Sequence, residues 1–378
     1  MNTFIKNVSM FLAVFLFHLL ISCSDDGVSN PPENKELINE IDRICDSIIT
    51  DTKLPGMLVG IWDAGLNLNY VKGHGVSELS GSVPFEPNQL FRIGSNTKSF
   101  VVTRILQLVD EKKLSLYDKL SKFYPDFPNA ESVTIKMLCD MTSGIYNFTE
   151  TSEFDNIFLN DPLHKWTIEE KIDIAAKYDY YFTPGTDLKY SNTNTVLLGG
   201  IIETIDEQPL GEVLKSKLFE KYDLKNTYYP TDNKMPNNHY IHGYETDGSG
   251  TGEYDIDVTE FFDLTWAGAA GAIISDIYDV KKWVTMLIDG DMISDSLHSQ
   301  IFEGKTFTGS TLTYGKAVYS YAGTEMWGHN GGLPGFTSVM MRHTKMDRTI
   351  VVFYNLQGTP NPDHLFLRIV DLLNNTEQ

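Results

Sequence analysis

Ser95 and Lys98 stand three residues apart, just ahead of an apolar stretch, Phe100 to Asp110 (FVVTRILQLVD). On a helix that spacing puts the hydroxyl and the amine on one face, within reach of each other. A serine hydroxyl is a poor nucleophile until a base takes its proton. A lysine can be that base if burial and nearby positive charge lower its pKa. The N-terminus of a helix adds free backbone N–H groups beside the serine, where an oxyanion can be held. The chemistry these parts allow is acyl transfer. Ser-x-x-Lys arises by chance about once or twice in a chain of this size, and an N-cap serine with a surface lysine would look the same. Here it occurs once, and Lys98 directly precedes the apolar run, a poor position for a merely solvated side chain.

Two further groupings carry suitable residue types. Tyr190-Ser191-Asn192 follows the turn signal Phe182-Thr183-Pro184-Gly185, which places it on a loop before an apolar helix, Val196–Ile202. A phenol near a lysine can relay protons to and from the serine and the leaving group. An asparagine two residues on can hold a substrate amide through both its donor and its acceptor. His329-Asn330-Gly331 lies in a glycine-rich turn, Trp327 to Phe336, where glycine lets a ligand approach the backbone closely. Taken singly, a tyrosine packed in a loop and a histidine in such a turn are more often structural than chemical.

In the order Ser-x-x-Lys, Tyr-x-Asn, His-x-Gly, separated by about 95 and 140 residues, the three groupings resemble the serine β-lactamase and penicillin-binding-protein superfamily. The resemblance covers roughly residues 36–375. Leu138-Cys139-Asp140-Met141-Thr142-Ser143-Gly144 is similar to the family's Leu-x-x-x-Thr-Ser-Gly segment, and Ala267-Gly268-Ala269-Ala270-Gly271 before Ser275 to its Ala-Gly-rich turn. Tyr-x-Asn resembles the class C side, which includes D-alanyl-D-alanine carboxypeptidases, D-amino-acid peptidases and esterases. Histidine in the third motif is similar to the carboxypeptidase and esterase members and less like the dedicated β-lactamases.

The resemblance implies a role for each residue. Ser95 attacks the carbonyl, Lys98 is the primary base, and Tyr190 relays the proton and activates the deacylating water. Asn192 orients the substrate amide. His329, with Asn330 and Gly331, binds substrate, and His329 helps place Tyr190 and the substrate's anionic end. The backbone N–H groups of Ser95 and Gly332 form the oxyanion hole. No cofactor is implied, and no Cys/His cluster has metal-ligand spacing. The expected activity is that of an acyl-serine hydrolase on D-amino-acid peptides, amides or small esters, peptidoglycan-derived ones included. A β-lactamase and a non-catalytic lipoprotein of the same fold are the alternatives.

These residues must be positioned by the elements around them. Residues 36–50 put Leu37, Ile38, Ile41, Ile44 and Ile48 on one helical face. Met57–Trp62 and Leu68–Lys72 read as a β-hairpin, Thr337–Met341 and Thr349–Tyr354 as two strands, and Asp363–Leu373 as a closing helix. The apolar run after Lys98 reads as a buried helix. From about 112 to 265 the pattern is mostly helical, with long loops. The fold class expected is α+β: an antiparallel sheet built from both chain ends, with helices on its faces and a mainly helical insert.

The ends of the chain carry other information. Residues 1–22 read as an export signal: Lys6, then an apolar run of twelve, Met10 to Ile21, too short to span a bilayer comfortably. Leu20-Ile21-Ser22-Cys23 resembles a lipobox, which implies lipid on Cys23, a flexible tether at 23–35, and a membrane-anchored, exported protein whose contact with membrane is through that lipid alone. The net charge of −21 argues against nucleic acid as a partner. Cys45 and Cys139 remain, either as a disulfide or as two unpaired buried thiols. The acidic, glycine-rich segment 241–257 reads as a solvated loop shaping the cleft; its spacing matches no EF-hand.

Overall fold

The computed structural model describes residues 34–246 and 254–376. The export signal, Cys23 and nearly all of the tether lie outside the described residues, as does the middle of the acidic loop. Among the described residues no helix is long and apolar enough to cross a membrane.

An eight-stranded antiparallel sheet forms the body. Its order across the sheet is Leu68–Gly75, Gly56–Asp63, Arg348–Tyr354, Phe336–His343, Met326–Leu333, Tyr319–Tyr321, Leu312–Tyr314 and Lys305–Thr306. The two chain ends meet in its second and third strands, where Val59 pairs with Val352 and Ile61 with Ile350. The period-two pattern of these strands sorts their side chains between two cores. Met57, Val59 and Ile61, with Ile350 and Val352, pack on Leu37, Ile41 and Ile44 of the helix Lys35–Thr52 and on Leu365, Phe366 and Ile369 of the helix Pro362–Thr376. Leu58, Val351 and Phe353 face the larger core on the other side.

That larger core is organised around the helix Thr97–Asp110, buried along nearly its whole length. It is enclosed by the helices Asn192–Asp206 and Ile277–Asp289, which explains why its sequence is apolar all round instead of striped. Phe100 stacks on Trp283 with centroids 3.7 Å apart, and the Trp283 indole N–H donates to Ser99 Oγ at 2.8 Å. The head of the helix, two residues from Ser95, is thereby fixed.

Two features differ from the sequence-based expectation, and the cysteines take the second of the two forms left open. The glycine-rich segment 327–336 is not all turn: Met326–Leu333 is a strand, paired with Phe336–His343. Its glycines are needed because backbone comes too close for side chains. A Cβ on Gly328 would lie 1.9 Å from the Met340 carbonyl oxygen, and one on Gly331 would lie 2.0 Å from that of Ile93. The helix expected at 196–202 begins earlier, at Asn192, so the asparagine belongs to its first turn and not to the preceding loop. Cys45 and Cys139 form no disulfide; they are buried in different cores, and burial raises each thiol to about 12, the wrong direction for a reactive thiolate.

Candidate active site

Ser95 sits in a single 3₁₀ turn, Gly94–Asn96, that leads into the helix at Thr97. Gly94 has φ +57°, and a Cβ there would come within 2.7 Å of the Gly332 nitrogen and 3.0 Å of the Gly331 Cα. A glycine is therefore required twice, for its backbone angle and for the close approach of the strand Met326–Leu333. The turn is held from behind by a small polar knot. Asn96 Nδ2 donates to the Ile93 carbonyl at 2.8 Å and to Ser338 Oγ at 2.7 Å, and Ser338 Oγ donates to the Ile93 carbonyl at 2.9 Å.

Lys98 is fully buried. Its Nζ lies 3.0 Å from Ser95 Oγ, 2.8 Å from Asn192 Oδ1 and 2.7 Å from the Ala270 carbonyl oxygen. Desolvation holds its pKa well below the usual lysine value. A neutral amine has two N–H bonds and one lone pair. Two of its partners are amide oxygens, which only accept. The lone pair is thus left for Ser95, the one partner with a proton to give. The arrangement can deprotonate the serine.

Tyr190 closes the group. Its ring centroid is 4.8 Å from Lys98 Nζ, and its phenol is hydrogen-bonded to Ser95. Burial pushes the phenol well above its usual range, partly offset by the bond to Ser95. At neutral pH Tyr190 is a phenol able to give a proton, while Lys98 is the better acceptor. Asn192 has its amide engaged on both sides, Oδ1 on Lys98 and Nδ2 on Thr149 Oγ1 at 3.0 Å. Its first structural duty is to orient the lysine.

His329 is buried, and its surroundings depart from the expectation that it places Tyr190. Its Nδ1 faces its neighbour's carbonyl, Asn330 O, at 2.5 Å, and its Nε2 faces Tyr314 Oη at 3.2 Å. A carbonyl only accepts, so Nδ1 carries the hydrogen and Nε2 accepts from the Tyr314 hydroxyl. Desolvation and the nearby Lys98 lower its pKa to about 3, so the ring is neutral at pH 7. It meets Tyr190 only as a ring neighbour, with centroids 6.3 Å apart. Asn330 turns away to donate from Nδ2 to Asp363 Oδ2 at 2.8 Å, and Gly331 serves the close packing on Ile93 described above. Gly332 is exposed and, with Ser95, lines a small cleft whose other walls include Phe148, Trp266, Ala270 and Leu333.

Sequence reasoning missed several residues. Tyr314, on a three-residue strand, has no motif around it. Ala270 lies in the Ala-Gly-rich turn noted above, but its part is played by its carbonyl, which no side chain signals. Lys171, buried behind the same turn, donates to the Thr265 carbonyl at 2.7 Å, and nothing in its helix sets it apart from a surface lysine.

An antiparallel sheet capped by a helix that presents a serine and a buried lysine defines a serine hydrolase of the β-lactamase fold. The chain belongs to the Beta-lactamase family, whose model matches residues 41–373. Over 306 residues it is 29% identical to PbpX of Bacillus subtilis (strain 168), which is named as a penicillin-binding protein; the match covers 80% of this chain and 71% of that one. It is 26% identical over 347 residues to protein flp of Staphylococcus aureus (strain NCTC 8325), covering 88% of this chain and 66% of flp. Among solved structures, D-amino acid amidase from Ochrobactrum anthropi SV3, complexed with L-phenylalanine, superposes with a TM-score of 0.78 at 26% identity, over 90% of this chain and 100% of that one.

Proposed function

We propose that the protein is an acyl-serine hydrolase that cleaves D-amino-acid amides, D-amino-acid peptides or small esters through Ser95. The observation that carries this reading is the buried Lys98 amine, whose one proton-bearing hydrogen-bond partner among the described residues is Ser95 Oγ at 3.0 Å. Lys98 takes the hydroxyl proton as the Oγ–carbon bond forms. The oxygen of the tetrahedral intermediate then meets the backbone N–H groups of Ser95 and Gly332. Tyr190 gives its phenolic proton to the leaving nitrogen or oxygen as that bond breaks, and the proton held by Lys98 then restores the neighbouring Tyr190 phenol. Water repeats the sequence on the acyl-enzyme, releasing the acid and restoring Ser95, so the sum is hydrolysis. The likeness to a D-amino acid amidase supports the D-amino-acid amide end of this range. The same proposal places the enzyme outside the cytoplasm, tethered to a membrane by lipid on Cys23, on the strength of the lipobox-like sequence.

Intact-mass measurement after treatment with a fluorophosphonate tests the nucleophile. One adduct on the wild-type protein and none on Ser95→Ala is expected, together with faster release of ammonia from D- than from L-phenylalanine amide. Equal labelling of Ser95→Ala overturns the reading.

A further inference from the structure

The strand Met326–Leu333 and the turn that follows it form one wall of the cleft through Gly332 and Leu333. The charges around this wall are one-sided. Asp363, buried behind it, accepts from Tyr319 Oη at 2.7 Å and from Asn330 Nδ2 at 2.8 Å. At the tip, Glu245 Oε1 accepts the backbone N–H of Gly335 at 3.0 Å, three residues beyond Gly332. His329, the ring that could offset them, is neutral and has both nitrogens engaged. Among the described residues no Lys or Arg is hydrogen-bonded to residues 329–337. Among the described residues no charged side chain lines the cleft itself, and Lys98 beneath it is buried and spent on three partners.

We infer that this wall selects against substrates carrying a negative charge beside the scissile bond, so that amides and neutral esters are favoured over substrates ending in a free carboxylate. The inference rests on the acyl-serine reading above. A substrate carboxylate laid along the wall would lose its water, find no cation hydrogen-bonded to that wall among the described residues, and meet the negative field of Glu245 at the tip and of Asp363 behind the strand. An uncharged amide loses far less water and meets no repulsion. Discrimination of this kind comes from an unfavourable element set against the wrong ligand. Glu245 is its adjustable part, because glutamine keeps the acceptor for the Gly335 N–H while removing the charge.

N-acetyl-D-alanyl-D-alanine and N-acetyl-D-alanyl-D-alaninamide differ by that one charge. At low salt, kcat/KM for the amide is expected to exceed that for the carboxylate by about tenfold or more, the gap narrowing about threefold near ~0.5 M salt as the repulsion is screened. Glu245→Gln should raise kcat/KM on the carboxylate about threefold and leave the amide unchanged. A carboxylate form turned over as well as the amide overturns the inference alone. So does a preference that neither salt nor Glu245→Gln alters. If neither peptide nor D-phenylalanine amide is hydrolysed and Ser95 takes no fluorophosphonate, the acyl-serine reading fails and this inference falls with it.

Discussion

Lys98 Nζ reaches Ala270 O at 2.7 Å and Ser95 Oγ at 3.0 Å, so a single buried amine joins the turn before one helix to the head of another. This geometry separates function from stability. The folded lysine has its pKa depressed from 10.5, while the unfolded lysine does not. Across that window the unfolded chain binds the extra proton, so stability rises with pH and is diminished at pH 7. Lys98→Met should therefore lower the acylation rate by about 10³-fold and raise the melting temperature at pH 7. Stopped-flow labelling and thermal melts read the two effects. Wild-type labelling in the variant would remove the base role.

His329 has the same signature at a lower pH. Its folded pKa is about 3, against 6.5 when unfolded. Below pH 6.5 the unfolded chain takes up a proton that the folded ring refuses, so the stability present above pH 6.5 is lost as pH falls toward 3. At roughly 1.4 kcal/mol per unit the loss amounts to about 4 kcal/mol at the acid end. His329→Gln should abolish that part of the acid sensitivity. Urea unfolding of both proteins at pH 7, 5 and 4 makes the comparison, and parallel losses in the two would count against the buried neutral ring.

A neutral imidazole turned toward Tyr314 lends Tyr190 no positive potential, and burial holds the phenol protonated. The water that must attack an acyl-enzyme lacks a strong base on that side. The bulky acyl group left by a penicillin or cephalosporin, which hinders the approach of that weakly activated water, should thus stall on Ser95, whereas the small acyl group of a short-chain nitrophenyl ester leaves room for it and turns over. A chromogenic cephalosporin is expected to give a burst of at most one equivalent followed by a near-flat line. Fast steady-state hydrolysis of it, with no ester activity, would place the enzyme with the β-lactamases instead.

Gly94 ties the nucleophile turn to the strand that supplies Gly332. With φ at +57° and a would-be Cβ 2.7 Å from the Gly332 nitrogen, Gly94→Ala must push the two apart. The backbone penalty alone is about 1–2 kcal/mol. Separation of the two proposed oxyanion donors, the Ser95 and Gly332 N–H groups, should cost about 10²-fold or more in kcat. The kinetic loss should exceed anything the melting temperature implies. A variant that melts several degrees lower yet keeps its kcat would show that the Gly332 N–H contributes little.

The amino-acid sequence by itself determined the family and the frame. Ser95, Lys98 and Tyr190 are legible because their types and spacing repeat a pattern. Val59 and Val352 can be assigned to strands, and the helix after Lys98 to the interior, because alternation and an all-round apolar run follow from the geometry of strand and helix. The tertiary structure alone decided which partners those side chains keep. No local rule shows that Asn192 holds Lys98, that Ala270 contributes a carbonyl, or that Tyr314 and not Tyr190 receives His329, since each contact joins residues far apart in the chain. The glycines of 328–332 read as a turn because glycine marks turns by its freedom at positive φ. Here Gly328 and Gly331 are required by neighbouring backbone within 2.0 Å of where a Cβ would stand, a distance set only when the sheet closes on the helix.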